Sequence, residues 1–400
     1  MNRMVGGFLA LLVGCVPQPQ TGALDDVIAI VGTPEADDAS MAERLTALEA
    51  TVAAQQETIG SLSTQVDNLS GGVDLTELVD NVAANTLSVQ TLEDEVAQSV
   101  MGIFEDTTFS VSTVGELTET LAELAQTFIS SDAVVTIAPQ PGEYLFTDSL
   151  VVDLQQGERV HIVGSGSDVV FRFTGDTGVI IPRRAHLGLF DAIELDGNND
   201  GATRGFDIEG TANLGDTVIV RDFGKGIWVG LAGALTAGTI SVHSNTGEGI
   251  FVNGIAEIGA ATISNNGSTG IAVAGGNALL LNATVNGNAF GISVQSSASM
   301  VARGTIISGS TLLGARVAQA SLVLNNCTVS GNGTDGIYAE AGANVQTFVS
   351  TITGNAGYGV VATANSAVRL VGTELDTNTL GDSNPAFGAG RDYSLVVVVE

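Results

Sequence analysis

Charged side chains that could perform chemistry are concentrated between positions 183 and 225. This stretch contains Arg183, Arg184, His186, Asp191, Glu194, Asp196, Asp200, Arg204, Asp207, Arg221, Asp222 and Lys225. Carboxylates are preferred ligands of Ca²⁺, and paired acids or a basic side chain can cleave a polysaccharide by acid–base catalysis. The catalytic candidates are Asp200, Arg204, Asp222 and Lys225. The candidate ligands of a Ca²⁺ ion are Asp191, Asp196 and Asp200.

The spacing of these residues supports a site but also has a structural explanation. Asp200 precedes Asp222 by 22 residues and Arg204 precedes Lys225 by 21, which is close to the repeat period described below, so each pair would stack on one face. However, Asp and Asn both favour turns, and several of the acids surround the turn Leu195-Asp196-Gly197-Asn198-Asn199-Asp200. The two interpretations, a Ca²⁺ or glycan site and plain turn chemistry, stay open at this point.

The composition excludes several function classes. The 400 residues contain 13 Lys and Arg against 44 Asp and Glu, a net charge of −31, so binding to nucleic acid through phosphate contacts is not expected. The three histidines lack metal-ligand spacing. Cys327 has no expected disulfide partner and is predicted to be a small core residue. No cofactor is predicted, apart from the open question of Ca²⁺.

Internal repeats are the strongest pattern in the chain, and they predict the kind of structure in which the charged stretch lies. A glycine before an apolar residue recurs at steps of 21 to 23, at Gly226, Gly249, Gly270, Gly291, Gly314, Gly336 and Gly359. A threonine that is expected to open a strand recurs with the same period, at Thr217, Thr239, Thr262, Thr284, Thr305, Thr328, Thr351 and Thr373. A turn column of Asn or Asp precedes the glycines, at Asp222, Asn245, Asn266, Asn332 and Asn355. Such a period predicts one solenoid coil per repeat.

Each coil is predicted to contain three short strands. Val, Ile and Leu alternate with Ser, Thr and Asn, which sends the apolar side chains inward. The Asn column is expected to tolerate a left-handed backbone and to bond to the coils on either side, while glycine supplies a bend. Before the coils, Thr113 and Glu116 form a capping box for a helix of about four turns, with the apolar stripe Leu117, Leu121, Leu124 and Phe128.

The repeats resemble the right-handed parallel β-helix of the pectate lyase superfamily over residues 135–400, with about eleven coils of ~22 residues. The stretch Ala138-Pro139-Gln140-Pro141-Gly142-Glu143-Tyr144, after a helix, looks like the N-terminal cap of that superfamily. The resemblance implies an enzyme on acidic polysaccharide as one possible function. However, the superfamily's catalytic signatures, such as Gly-His-Gly and Asp-Pro-His, are missing from this sequence.

The N-terminus resembles the signal peptide of bacterial lipoproteins. Residues 1–15 have a positive charge at Arg3, a short apolar stretch and the sequence Leu12-Val13-Gly14-Cys15, similar to a lipobox. The resemblance implies lipidation of Cys15 and attachment to the cell envelope, and Val16 is compatible with sorting to the outer membrane of a diderm bacterium. Residues 16–40 are predicted to be a disordered acidic tether.

Residues 41–101 carry two heptad seams that predict an α-helical coiled-coil stalk, broken at 71–72. The first seam has Leu45, Val52, Ile59 and Val66 at a, and the second has Leu75, Val82, Val89 and Val96. The stretch Val82-Ala83-Ala84-Asn85-Thr86 resembles the stalks of trimeric autotransporter adhesins, which implies polar core layers at Asn85 and Gln55. Self-association as a homotrimer or a dimer is therefore expected. The alternative is an amphipathic helix packed on its own chain. Residues 102–134 are assigned to a linker and the capping helix.

The sequence leaves rival functions. We expect a non-enzymatic surface lipoprotein whose β-helix binds glycans or another surface, or acts as an envelope spacer. The alternative is a polysaccharide lyase or glycoside hydrolase that uses the charged stretch 183–225. An Asn-rich face with few charges favours binding or spacing.

Overall fold

The computed structural model describes residues 53–57, 59–61, 102–165, 168–198, 203–363, 365–384 and 395–398. The chain divides into two units, Met1–Met101 and Gly102–Glu400. In the first unit, 53–57 and 59–61 are helical, and Gln55 is exposed. Cys15, Asn85, the tether and the rest of the predicted stalk lie outside the described residues. Within the described ranges, no helix has the length and apolar character needed to cross a bilayer.

The second unit is a parallel β-solenoid of about twelve turns built from three long sheets. Sheet 1 consists of Thr107–Val111, Val135–Pro139, Val160–Val163, His186–Asp191, Thr211–Leu214, Ala234–Ala237, Ile255–Ile258, Asn277–Leu281, Ser299–Arg303, Ser321–Asn325, Asn344–Phe348, Ala367–Val371 and Leu395–Val398. Sheet 2 consists of Gly142–Phe146, Val169–Phe173, Glu194–Asp196, Ile219–Arg221, Ser241–His243, Thr262–Ser264, Thr284–Asn286, Ile306–Ser308, Thr328–Ser330, Thr351–Thr353 and Glu374–Asp376. Sheet 3 consists of Leu150–Val151, Thr177–Ile181, Arg204–Ile208, Lys225–Val229, Ile250–Val252, Thr269–Ala274, Phe290–Gln295, Ala315–Ala318, Ile337–Glu340, Tyr358–Ala362 and Gly381–Asn384.

Sheet 1 begins inside the stretch that was assigned to a linker, because Thr107–Val111 pairs in parallel with Val135–Pro139. A short sheet pairs Gly102–Ile103 with Phe128–Ile129, and a single turn of 3₁₀ helix covers Gly157–Arg159. The strands from Val135–Pro139 to Ala367–Val371 place inward side chains in one continuous core of mainly Val, Ile, Leu, Phe and Ala. Stacking hides the apolar face that a single coil could not bury by itself.

The capping helix spans Val114–Leu124 and is shorter than predicted. Thr113 is its N-cap, and the Thr113 hydroxyl accepts the backbone N–H of Glu116 at 3.1 Å. The Glu116 carboxylate accepts the N–H and the hydroxyl of Ser112, which lowers the pKa of Glu116. The helix has about three turns rather than four, because Phe128 is already in the strand Phe128–Ile129.

A ladder of buried amides runs along the turn between sheets 2 and 3, as the Asn column predicted. Its members are Asn245, Asn266, Asn288, Asn332, Asn355 and Asn378, with Ser310 in the place between Asn288 and Asn332. Each amide oxygen accepts from the coil before it. The left-handed backbone lies one residue earlier than predicted, at Ser244 and Asn265 for example, so the ladder residue itself does not need a positive φ.

Asp222 is not a member of this ladder, which corrects the prediction. The ladder position in its coil is Phe223, whose N–H donates to Asn245 at 3.0 Å. Asp222 occupies the left-handed position before it, with φ of 63°. The predicted column is off by one residue in this coil, because sequence spacing alone does not distinguish the two adjacent turn positions.

The glycine column is confirmed as a structural column, but for a different reason than the predicted bend. A Cβ on Gly270 would lie 2.7 Å from the Asn288 amide nitrogen and 2.8 Å from the Gly291 carbonyl oxygen. Gly249 and Gly336 meet the same two neighbours one coil further on. The column therefore needs glycine for close approach to the Asn ladder.

The threonine column follows the strand register only in part. Thr262 pairs with Thr284, and Thr328 pairs with Thr351. However, the partner of Thr284 on its other side is Ile306 rather than Thr305, because the coils differ in turn length. The repeat period was thus right on average, while the register within single coils was decided by the turns.

Candidate functional site

The charged stretch 183–225 does not form one site, because its residues are divided among the three sheets. On sheet 2, Asp196 is the centre of an ion-pair network and is 3% exposed. Its Oδ2 accepts from Arg172 at 3.1 Å and from Arg221 at 2.9 Å, on the two neighbouring coils. Its Oδ1 accepts the N–H of Asn198 at 2.8 Å, so both oxygens are engaged.

Arg221 completes this network with three carboxylates. It donates to Glu194 at 2.6 Å and to Asp222, as well as to Asp196. Burial by itself would lower the pKa of Arg221, but hydrogen bonds to Glu194 and Asp222, with the charges of Glu194 and Asp196, raise it. A permanently charged arginine that is surrounded by acids pairs the strands of sheet 2, and it is not free to hold a substrate.

The strand register of sheet 2 does not align Asp222 with Asp200, as the spacing had predicted. Asp196 pairs with Arg221, and Gly197, the next residue, donates its N–H to the Arg221 carbonyl at 2.9 Å. The coil position under Asp222 is therefore Gly197, 25 residues earlier. The turn after Asp196 is longer than the turn after Arg221, since the next sheet begins at Arg204 and Lys225 respectively. Asp200 itself lies outside the described residues.

The candidate Ca²⁺ ligands are also separated. Asp191 ends a strand of sheet 1, where its Oδ1 accepts the N–H and hydroxyl of Thr217, each at 2.9 Å, while Asp196 is on sheet 2. Arg183 and Arg184 are exposed in a turn, and His186 opens the strand His186–Asp191. Among the residues that the structure describes, no group of three or more His, Cys, Asp and Glu side chains could hold a metal ion.

The structure instead brings together a set of outward aromatic side chains on sheet 3. We call this set the aromatic strip, and its members are Trp228, Phe251, Phe290, Tyr338 and Tyr358. Each is partly exposed. Trp228 and Phe251 lie on adjacent coils with their rings stacked, at a centroid distance of 4.1 Å and an interplanar angle of 4°. The chain has one Trp and four Tyr, so outward placement of three of these five residues on one face is a concentrated apolar surface.

Two of the predicted catalytic residues do come together, beside this strip. Arg204 and Lys225 are register partners on sheet 3, as their spacing predicted. The Arg204 guanidinium lies 4.3 Å from the Trp228 ring centroid. The Lys225 ammonium lies 5.0 Å from the same ring and 5.1 Å from that of Phe251, so both cations contact the aromatic faces.

Every cation on this face has a carboxylate partner. Arg204 pairs with Asp207, Lys225 pairs with Glu248 at 2.9 Å, and Arg316 pairs with Glu340 at 2.6 Å. Among the described residues of this face, the buried Oδ1 of Asp207 has no hydrogen-bond partner. The Trp228–Phe251 stack is thus an apolar surface with both donors and acceptors beside it.

The far end of the strip borders a shallow groove. Tyr338 and Tyr358 line it together with Asp335 and Val361. Asp335 accepts the backbone N–H of Tyr358 at 2.7 Å and so fixes the start of that strand. The groove lies on the same face of sheet 3 as Trp228.

Sequence analysis missed the aromatic strip, although a signal was present. The column of glycines before an apolar residue was considered without the residues that follow it. The position two residues after each glycine points outward, and in successive coils it contains Trp228, Phe251, Ala272, Ser293, Arg316 and Tyr338. Reading that column would have placed Trp and Phe side by side.

The chain has distant similarity to several solved structures. No curated protein sequence matches the chain. The A-module of a mannuronan C-5 epimerase from Azotobacter vinelandii is 13% identical, with a TM-score of 0.45 over 66% of this chain and 90% of its own. An alginate lyase from a Paenibacillus species is 13% identical, with a TM-score of 0.45 over 69% and 98%. The catalytic domain of a GH87 α-1,3-glucanase is 13% identical, with a TM-score of 0.46 over 73% and 67%.

The family model described as right-handed β-helix region matches residues 225–380, which include the whole aromatic strip and the Asn ladder from Asn245 to Asn378. The solenoid of this chain is a right-handed parallel β-helix.

Proposed function

We propose that this protein is a non-enzymatic surface protein that binds polysaccharide through the aromatic strip of its β-helix. The observation that carries the proposal is the outward stack of Trp228 on Phe251, with Arg204 and Lys225 against its rings. The exposed apolar area of aromatic rings on a solvent-facing sheet is unfavourable, because it stays in contact with water. A ligand with apolar faces and polar edges would recover that cost.

A sugar ring has this combination of surfaces. Its C–H groups form flat apolar faces that pack on aromatic rings, and its hydroxyls need hydrogen-bond donors and acceptors at the edge. The pairs Arg204–Asp207 and Lys225–Glu248 supply both kinds of group next to the Trp228 ring.

The described geometry favours binding over cleavage. Glycoside hydrolysis by two carboxylates needs one of them protonated and directed at the glycosidic oxygen. Glu194, Asp196 and Asp222 are instead held by arginines, and Asp191 accepts N–H groups of turn residues. No observation favours the lyase or hydrolase alternative over the binding function.

The N-terminal features extend the proposal to a location and an assembly. We place the protein on the cell envelope through a lipid on Cys15, with the predicted coiled coil of 41–101 joining two or three β-helices. Several weak glycan sites on one assembly would raise the avidity without a deep pocket. A Cys15→Ser variant that still sediments with the membrane fraction would contradict the anchor, and an unchanged oligomeric state after deletion of 41–100 would contradict the stalk.

Affinity electrophoresis of the Cys15→Ser chain in gels containing laminarin, dextran, alginate or polygalacturonate tests the binding function. We expect at least one polysaccharide to retard the protein, and Trp228→Ala to remove the retardation. Phe348→Ala is a matched control, because Phe348 is an outward, partly exposed aromatic on sheet 1. Equal loss in both variants, or no retardation by any polysaccharide, would refute the proposal. New chain ends in the same samples would show an enzyme instead.

A further inference from the structure

We infer that the ligand of the aromatic strip is a neutral, linear polysaccharide that lies parallel to the solenoid axis and contacts the protein at two separated points. The first contact is the Trp228–Phe251 stack and the second is Tyr338. This inference rests on the proposed polysaccharide binding and adds the class, direction and minimum length of the ligand.

The direction follows from the strand register. Trp228, Phe251 and Tyr338 occupy one column of sheet 3, in which each residue is the direct partner of the next coil's residue. Hydrogen-bonded neighbours in a sheet are ~4.8 Å apart, and the column rises along the axis. Five such steps separate Trp228 from Tyr338, about 24 Å in total. A ligand that touches both ends must therefore be extended along the axis.

Two small residues in the middle of the column form a low surface, here called the floor, over which a ligand can pass. The two positions after Phe251 are Ala272 and Ser293, which are 4% and 8% exposed. These small side chains add no ring or charge, so the aromatic stack ends at Phe251. The next position in the column is Arg316, whose guanidinium is paired with Glu340. Phe290 lies beside the path on the neighbouring column, paired in register with Thr269. A chain of sugar rings can pass over this floor between its two aromatic contacts.

The neutral character follows from the charges of the same face. Its three cations, Arg204, Lys225 and Arg316, each face a carboxylate, so none is left to pair with a uronate. An acidic polysaccharide would also approach a chain with a net charge of −31, which repels polyanions. The face therefore discriminates against acidic chains by lacking a free cation and by long-range repulsion.

The test uses the full chain with Cys15→Ser and measures Kd for gluco-oligosaccharides, from disaccharide to octasaccharide, cut from the neutral glucan that retards it. Alginate oligomers of matched length are the acidic probe. We expect the affinity to rise with length until the ligand spans both contacts. Tyr338→Ala should weaken octasaccharide binding by about tenfold, as for one truncated aromatic contact, and should weaken disaccharide binding less, while Tyr338→Phe keeps the ring and should retain most of the octasaccharide affinity.

A third variant tests whether the ligand passes over the small side chains between the two contacts. Ser293→Tyr would place a ring on the floor between the two contacts and should weaken the octasaccharide more than the disaccharide. Thermal unfolding of each variant shows whether a loss comes from a damaged coil. A variant in which unfolding shifts markedly is replaced by the milder Ser293→Gln.

The outcomes separate this inference from the proposed function. If Trp228→Ala abolishes binding while Tyr338→Ala has no effect at any length, the two-point inference is wrong and the binding function stands. If alginate oligomers bind more tightly than neutral ones, the neutral class is wrong. If no oligosaccharide binds at any length, both the inference and the proposed function are wrong.

Discussion

Asn266→Ala should strongly destabilise the solenoid, because this residue is a central member of the Asn ladder. The Asn266 side chain is 2% exposed and makes four hydrogen bonds to the two neighbouring coils. Its Oδ1 accepts from the backbone N–H and the side-chain amide of Asn245, at 3.1 and 2.9 Å. Its amide donates to the Val242 carbonyl at 3.3 Å and to Asn288 Oδ1 at 3.0 Å.

The expected cost follows from this count. A hydrogen bond contributes ~1 kcal/mol net, and a buried donor left without a partner costs about 1–3 kcal/mol. Alanine removes all four bonds and strands the buried N–H of Asn245, so the free energy of unfolding should fall by roughly 3–5 kcal/mol. Trp228, the single tryptophan, is on the coil next to Asn245 and reports the change by its fluorescence during urea unfolding.

Asn286→Ala is the matched control for this experiment. Asn286 has the same side chain two residues before Asn288, but it is exposed. The bonds that it receives, from the Asn265 N–H and the Asn288 amide, go to its backbone carbonyl and survive the substitution. A loss below ~1 kcal/mol for Asn266→Ala, or a loss equal to that of the control, would show that the ladder is not the source of stability.

Further perturbations test other parts of the fold. Ser310→Asn should raise the free energy of unfolding by ~1–2 kcal/mol, measured by urea unfolding, because the Ser310 hydroxyl is buried without a partner at the one gap in the ladder. Asp196→Asn should destabilise by ~2–3 kcal/mol, since it leaves two arginines facing each other, yet glycan retardation should be unchanged; lost binding would restore a site there. Burial lowers the pKa of His161 below its ordinary value of 6.5, so His161 in the unfolded chain is protonated first as the pH falls. The contribution of His161 to the free energy of unfolding is therefore complete above pH 6.5 and declines below that pH. His161→Gln should flatten that decline in unfolding scans between pH 7 and 5, and an unchanged slope would contradict it. Cys327 should react with a thiol reagent only after unfolding, because burial raises the pKa of its thiol.

The repeat architecture could be predicted from the sequence because it depends on local rules. A 22-residue period with alternating apolar residues leaves few folds besides a parallel solenoid. The buried amides could be placed as well, since Asn at a fixed offset from Gly marks the same turn in each coil. Thr113 was also identified as a cap, because capping depends only on neighbouring residues.

The site was harder to predict, because it depends on which coil each residue joins. The charged stretch looked like one cluster when a constant period was assumed. The strand register puts Gly197 under Asp222, and Asp191 already ends a strand of another sheet. One extra turn residue displaces a side chain by a whole strand position, which no average period can show.

The repeats are sufficient to predict that this chain forms a stack of three-stranded coils with an internal Asn ladder, since hydrophobic alternation and turn residues act within one repeat. The stacking of Trp228 on Phe251 and the enclosure of Asp196 by Arg172 and Arg221 are visible only in the folded protein. These contacts join residues 23 to 25 positions apart, and their partners are set by the register between coils, which the turns fix only when the chain has folded.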